Sequence, residues 1–203
     1  MLQFFNFQKS AYGDKLFTVN IAIRSLYIPS NSLILQPGNR IGYWSHDYDH
    51  WWSFISEDNI EKSFIEINGI VMNSILPMFD VLATNAALVD EINDHQFPRL
   101  RWTVAENWKY NDLGFLYLKL GNFEKAEEMF IEARRFHQKL GFDWAIEAAK
   151  ICDQAISAIK RNSDSVNRFL NSCKKETQKK LGLLEWEAKK NVAVLLMFRD
   201  EPE

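Results

Sequence analysis

The sequence predicts an α+β fold, with an antiparallel sheet packed on a long helix and an all-α half behind it. Three observations carry this. Residues 15–27 alternate apolar with polar side chains, residues 60–78 repeat apolar side chains every three or four positions, and residues 113–133 have the small/large spacing of a helical hairpin. The 203 residues are 47% apolar, enough to bury a core, and the expected boundary separates 1–94 from 95–203.

Gln3–Gln8 and Lys15–Tyr27 read as two strands joined by Ala11-Tyr12-Gly13-Asp14, where glycine supplies the positive φ of a tight turn. In the second strand Phe17, Val19, Ile21 and Ile23 alternate with Thr18, Asn20, Ala22 and Arg24. One face is expected in the core and the other toward water or a partner. Pro29 and Ser30-Asn31-Ser32 then break the strand, Leu33-Ile34-Leu35 reads as a short extra strand, and Pro37-Gly38-Asn39 as a turn. Ile41–Trp44 is expected to return to the sheet.

Asp58-Asn59-Ile60-Glu61 has the form of a capping box, and Ile60, Phe64, Ile67, Val71, Ile75 and Met78 follow as one buried stripe. Pro77 is expected to bend or end that helix. Thr84 should cap a shorter helix reaching about Ile92, with the junction between halves near residues 94–104.

Two resemblances add to this reading. Phe5-x-Phe7-Gln8-Lys9-Ser10, the strand Phe17–Ile23, Arg40-Ile41-Gly42 and Trp51-Trp52 shortly after an aspartate are together similar to the bacterial family filed as domain of unknown function 4304. The resemblance covers about residues 3–80 and implies no activity. Relatives in that family carry a helix and a strand ahead of the Phe5-x-Phe7 strand, which implies a truncated start or a sheet lacking one edge. Further along, Leu113-Gly114-x-x-Tyr117-x-x-x-Gly121-x-Phe123-x-x-Ala126-x-x-x-Phe130-x-x-Ala133 resembles a tetratricopeptide repeat, in which small residues let two antiparallel helices approach. It implies a tetratricopeptide-like hairpin at about 107–140. Shifting the pattern by the usual period of about 34 residues finds few matches, so one repeat is expected rather than an array.

A second, diverged hairpin follows. Ile146, Ala149, Cys152, Ile156 and Ile159 form one stripe, Val166, Phe169, Leu170, Cys173 and Thr177 the next, with Asn162-Ser163-Asp164 between. Gly182 should close that helix, and Leu184, Ala188, Val192, Leu195 and Leu196 should line a last one.

Chemistry-bearing residues crowd in Arg40–Trp52, which holds three of the seven tryptophans and two of the four histidines. His46, Asp47, Asp49 and His50 are all of metal-ligating type, and the two histidines would share one face of a helix. A metal-dependent hydrolase needs a further ligand that the sequence does not single out. In the structural alternative Asp49 caps a short helix beginning at His50, Arg40 pairs with one of the aspartates, and Trp51 or Trp52 packs under the sheet. Recognition of a partner would use Arg40, Tyr43, Tyr48, Asp49 and His50 here, and Glu124 and Glu128 on the acidic face of the repeat.

No G-x-S-x-G elbow, phosphate-cradling glycine loop or Cys–His pair is present, so nucleophilic and nucleotide chemistry are not expected. The net charge of −3 and pI near 5.9 make nucleic-acid binding rest on local lysines alone, at 160–161, 174–175, 179–180 and 189–190. His95 and His137 read as ordinary surface residues. No secretion signal or run of about eighteen apolar residues occurs, and two cysteines make no disulfide framework, so a cytoplasmic protein without cofactor is expected. The reading is a non-enzymatic bacterial interaction protein, such as an immunity or inhibitor protein that neutralises a toxin, or an adaptor. Its N-terminal edge, Gln3–Gln8, is expected to be open to a second copy.

Overall fold

The computed structural model describes residues 1–29, 38–100 and 108–183, together with strand residues 196–197. The strand expected at 33–35, the body of the last helix from Leu184, and Lys189-Lys190 lie outside the described residues. Among the described residues four antiparallel strands precede the helices, as an α+β fold requires. β1 (Leu2–Lys9) and β2 (Leu16–Arg24) pair from Leu2–Arg24 to Lys9–Phe17, and Gly13 at φ 72 lets the connection turn back. β3 (Gly38–Arg40) and β4 (Trp52–Ser53) both pair with the other edge of β2, at Asn20–Ala22 and at Leu16–Phe17.

β2 corrects the sequence reading. Val19, Ile21 and Ile23 are in the core as expected, but Thr18, Asn20, Ala22 and Arg24 on the opposite face are buried too. Asn20 Nδ2 donates to Asn6 Oδ1 at 3.3 Å and Gln8 Oε1 at 3.1 Å, which satisfies a polar group that burial would otherwise penalise. The outer edge of β1, expected to be open, is occupied at Phe5 and Asn6 by β5 (Leu196–Met197), paired in parallel, so Leu196, expected to line a last helix, is in a strand instead. Ile41–Trp44 does not return to the sheet, but forms a single 3-10 turn after β3.

The long helix starts two residues earlier than the capping-box reading placed it. Ser56 is the cap, its hydroxyl accepting from Asn59 N–H at 3.3 Å, so α1 runs Glu57–Ile70. Pro77 neither ends nor breaks it. The five residues Val71–Ile75 widen into a π turn, and α2 (Leu76–Val81) continues with proline in its first turn, where its missing N–H costs least. Ile67, Ile70, Ile75, Met78 and Phe79 are buried against the sheet and α3 (Asn85–Asp94), which Thr84 caps as expected. Ile60 and Phe64, expected in the same stripe, stand 36% and 50% exposed.

Two helical hairpins follow. α4 (Trp108–Lys119) and α5 (Phe123–Leu140) join through Gly121, at φ 78, and Asn122, whose side chain accepts from Lys125 N–H. α6 (Asp143–Arg161) and α7 (Ser163–Lys180) join through Asn162, which caps α7. Gly182 closes this hairpin at φ 68. Ile146 is 46% exposed, and Ala145 takes the inner position instead. His137 is not a surface residue, being 1% exposed on the inner side of α5, and burial holds its pKa below the ordinary imidazole value. Burial likewise pushes the thiols of Cys152 and Cys173 up to about 12, which leaves them protonated and unreactive.

Leu113 and Leu116 of α4 reach into the sheet's core, while Ile28 joins the core of the hairpins, where Thr177 Oγ1 donates to its carbonyl at 3.4 Å. Gly114 sets the α4–α5 approach, since an added Cβ would lie 2.8 Å from the Phe130 ring. Gly114→Ala is therefore expected to lower stability by about 1–3 kcal/mol. At Gly69, where a Cβ meets nothing within 4 Å, alanine should instead raise it by about 0.5–1 kcal/mol. Urea unfolding of both variants checks this, and equal effects would remove the assigned role of Gly114.

Candidate functional site

Segment 41–52 leaves β2's edge through β3 and returns to it through β4, so its two ends are fixed by one strand. Between them the 3-10 turn lies directly against His50. A Cβ on Gly42 would stand 2.7 Å from the His50 carbonyl oxygen, which is why glycine is needed there. Gly42 O also accepts from His46 N–H at 3.0 Å, and Asp47 takes the left-handed φ of 57 that aspartate tolerates. Thr18 Oγ1 donates to His50 O at 3.5 Å, tying the segment to β2.

This geometry brings both histidines together without the expected helix. No helix begins at His50, so Asp49 caps nothing. It pairs with Arg40, whose guanidinium also lies 4.9 Å from the Trp51 ring centroid. Asp47 pairs with Arg99 at 2.6 Å, and Arg99 also donates to Trp44 O. Neither aspartate joins the histidines, which corrects the ligand set read from the sequence. Glu66 of α1 joins them instead: His46 Nε2 and Glu66 Oε1 are 2.7 Å apart. The imidazoles of His46 and His50 stack with centroids 3.8 Å apart and planes 26° apart, and Trp52 meets His50 edge-on at 4.8 Å.

Trp52, 3% exposed in the core, donates its indole N–H to Glu66 Oε2 at 3.0 Å. The tryptophan thus fixes both the segment and the carboxylate. Of the partner-recognition residues, Tyr48 is 57% exposed over the histidines and Tyr43 half-buried in the 3-10 turn. Glu124 and Glu128 are exposed on α5, away from this cluster.

The comparisons agree with the first half of the chain. Residues 1–81 match the model of the family described as Domain of unknown function (DUF4304). These residues are similar to that family. No match was found among curated proteins or among solved structures. The matched segment ends with α2, so the part similar to the family contains β1–β4, the His46–His50–Glu66 cluster and the helix that supplies the glutamate.

Glu66 went unnoticed in the sequence because the stripe was counted through its apolar members alone. The signal was its place beside Ser63, Ile67 and Ile70, since a carboxylate on the flank of a buried helix face needs a donor. Electrostatically, burial alone would raise the Glu66 pKa. Hydrogen bonds from Trp52 and His46, with the two imidazoles nearby, bring it below the usual value. His50 is held below the ordinary imidazole value, first by burial and then by His46, while Glu66 pulls the other way.

Glu66→Gln removes the carboxylate charge that raises the pKa of His50. Its titration midpoint in a proton NMR series is therefore expected to fall further below about 6.5. A midpoint that rises would contradict this account of the cluster.

Proposed function

We propose that this protein is a non-enzymatic interaction protein that binds another protein, in the manner of an immunity or inhibitor protein or an adaptor. The observation that carries this reading is apolar surface on the long helix of the part similar to the DUF4304 family. Glu57–Val81 is, among the described residues, the helix long and apolar enough by composition to cross a membrane, yet its inner face fills the core. Its other sides expose Phe64 (50%), Ile65 (67%), Met72 (55%) and Leu76 (37%).

Phe64, Met72 and Leu76 are spaced along the length of this helix. Phe64 also sits 6.2 Å from the rings of both Phe7 and Phe17, so the apolar surface continues onto the β1–β2 hairpin. Contiguous exposed apolar surface of this kind marks protein interfaces, and Met and aromatic residues are enriched at them. The single hairpin with tetratricopeptide-like spacing adds a second surface suited to an adaptor, with Glu124 and Glu128 facing outward.

Ile65→Glu/Met72→Glu tests the helix surface. Both side chains are more than half exposed, so each change should alter stability by no more than about 0.5 kcal/mol. Partners that copurify with the wild-type chain from its native cells, identified by mass spectrometry, are expected to be lost from the double variant. Tyr48→Ala and Glu124→Lys/Glu128→Lys probe the two other surfaces in parallel. An unchanged partner set for a double variant that melts like the wild type would overturn the assignment to this helix.

A further inference from the structure

We infer that His46, His50 and Glu66 form a binding site for a divalent transition-metal ion of the zinc class. One ligand atom from each of the three lies within 4.8 Å of the others. Two imidazole nitrogens and one carboxylate oxygen make a donor set of the kind found in zinc centres with three protein ligands, which keep a fourth position for water. The mixture of nitrogen and oxygen donors favours Zn²⁺, Co²⁺ or Ni²⁺ over Mg²⁺ and Ca²⁺, which take oxygen ligands almost entirely.

Distances set what binding requires. Zinc holds such ligands at about 2.0–2.2 Å, so tetrahedral neighbours stand about 3.3–3.5 Å apart. The 2.7 Å contact between His46 and Glu66 must open slightly, and the stacked imidazoles must splay so that their lone pairs converge. Both are side-chain rotations. The side chains of His46 and Glu66 are 28% and 39% exposed, which gives them room to turn and leaves the fourth position facing solvent.

The main chain beneath the ligands is already fixed. Gly42 is in contact with His50 and accepts from His46 N–H, and Thr18 holds the His50 carbonyl. Trp52 holds the distal carboxylate oxygen, leaving Oε1 turned to the histidines, and such outer hydrogen bonds orient ligands at metal centres. Asp47 and Asp49 are taken by Arg99 and Arg40 and are not ligands. An ion here would clasp segment 41–52 to α1, independently of the apolar helix surface proposed for partner binding.

The test uses the full chain without a histidine tag, stripped with chelator at pH 7.5. Co²⁺ is followed by its visible absorption, and Zn²⁺ and Mg²⁺ by calorimetry. One equivalent of Co²⁺ and of Zn²⁺ is expected, with Mg²⁺ far weaker and the melting temperature raised by Zn²⁺. His50→Gln and Glu66→Gln should each weaken Zn²⁺ binding by at least about tenfold, while Asp47→Asn binds like the wild type. Glu66→Gln keeps an acceptor for Trp52, and its metal-free melting shows whether it is folded. Should His50→Gln melt lower without metal, His46→Gln replaces it with the same expected loss. The site is disproved if the wild type takes up no stoichiometric Zn²⁺, or if the folded variants bind it as tightly as the wild type.

Discussion

The structure depends on β2 being buried on both faces. Its odd-numbered residues Val19, Ile21 and Ile23 meet the helices, and its even-numbered residues Thr18, Asn20, Ala22 and Arg24 are shielded as well. A strand covered on both sides fixes its neighbours' register strictly, because a slip of one residue would exchange the two sets. The Asn20 side chain adds a polar lock, since only the observed register sets it opposite Asn6 with Gln8 on the diagonal. β3 and β4 take their positions from the same strand, so the 41–52 segment inherits its geometry from β2.

Within that segment, exposed ion pairs are weak determinants. Arg99–Asp47 and Arg40–Asp49 are partly exposed, where such pairs contribute about 0–1 kcal/mol each. Burial of Trp52 and the close contact at Gly42 do more, because they hold the main chain whatever the salt concentration. The carboxylate of Glu66 links the two halves of the arrangement. It accepts from a core tryptophan on one oxygen and faces solvent-accessible imidazoles with the other.

Much of the fold was legible in local signals. The alternation in β2, the cap at Thr84, and the Gly114, Ala126 and Phe130 spacing each state a short-range rule that the chain obeys. The covering of the polar face of β2 was not legible, because it requires partners distant in sequence. For the site, the histidines were visible as a cluster four residues apart, but the periodicity that suggested a helix was misleading. A 3-10 turn and a left-handed Asp47 bring His46 and His50 together by another route. Choosing Glu66 over two nearer aspartates rests on Arg40 and Arg99, and Arg99 lies more than 50 residues along the chain from Asp47.

The π turn at Val71–Ile75 acts as a change of phase. An extra residue in one turn rotates everything beyond it by about 100° relative to an unbroken α-helix. The apolar residues before and after the turn are therefore written in two different frames, and the insertion turns Ile75 and Phe79 toward the side that Ile67 and Ile70 occupy. Removing a single residue between 71 and 75 would not shorten the helix gently. It would swing Phe79 away from Phe5 of the sheet, so this stretch should tolerate substitution far better than a change of length.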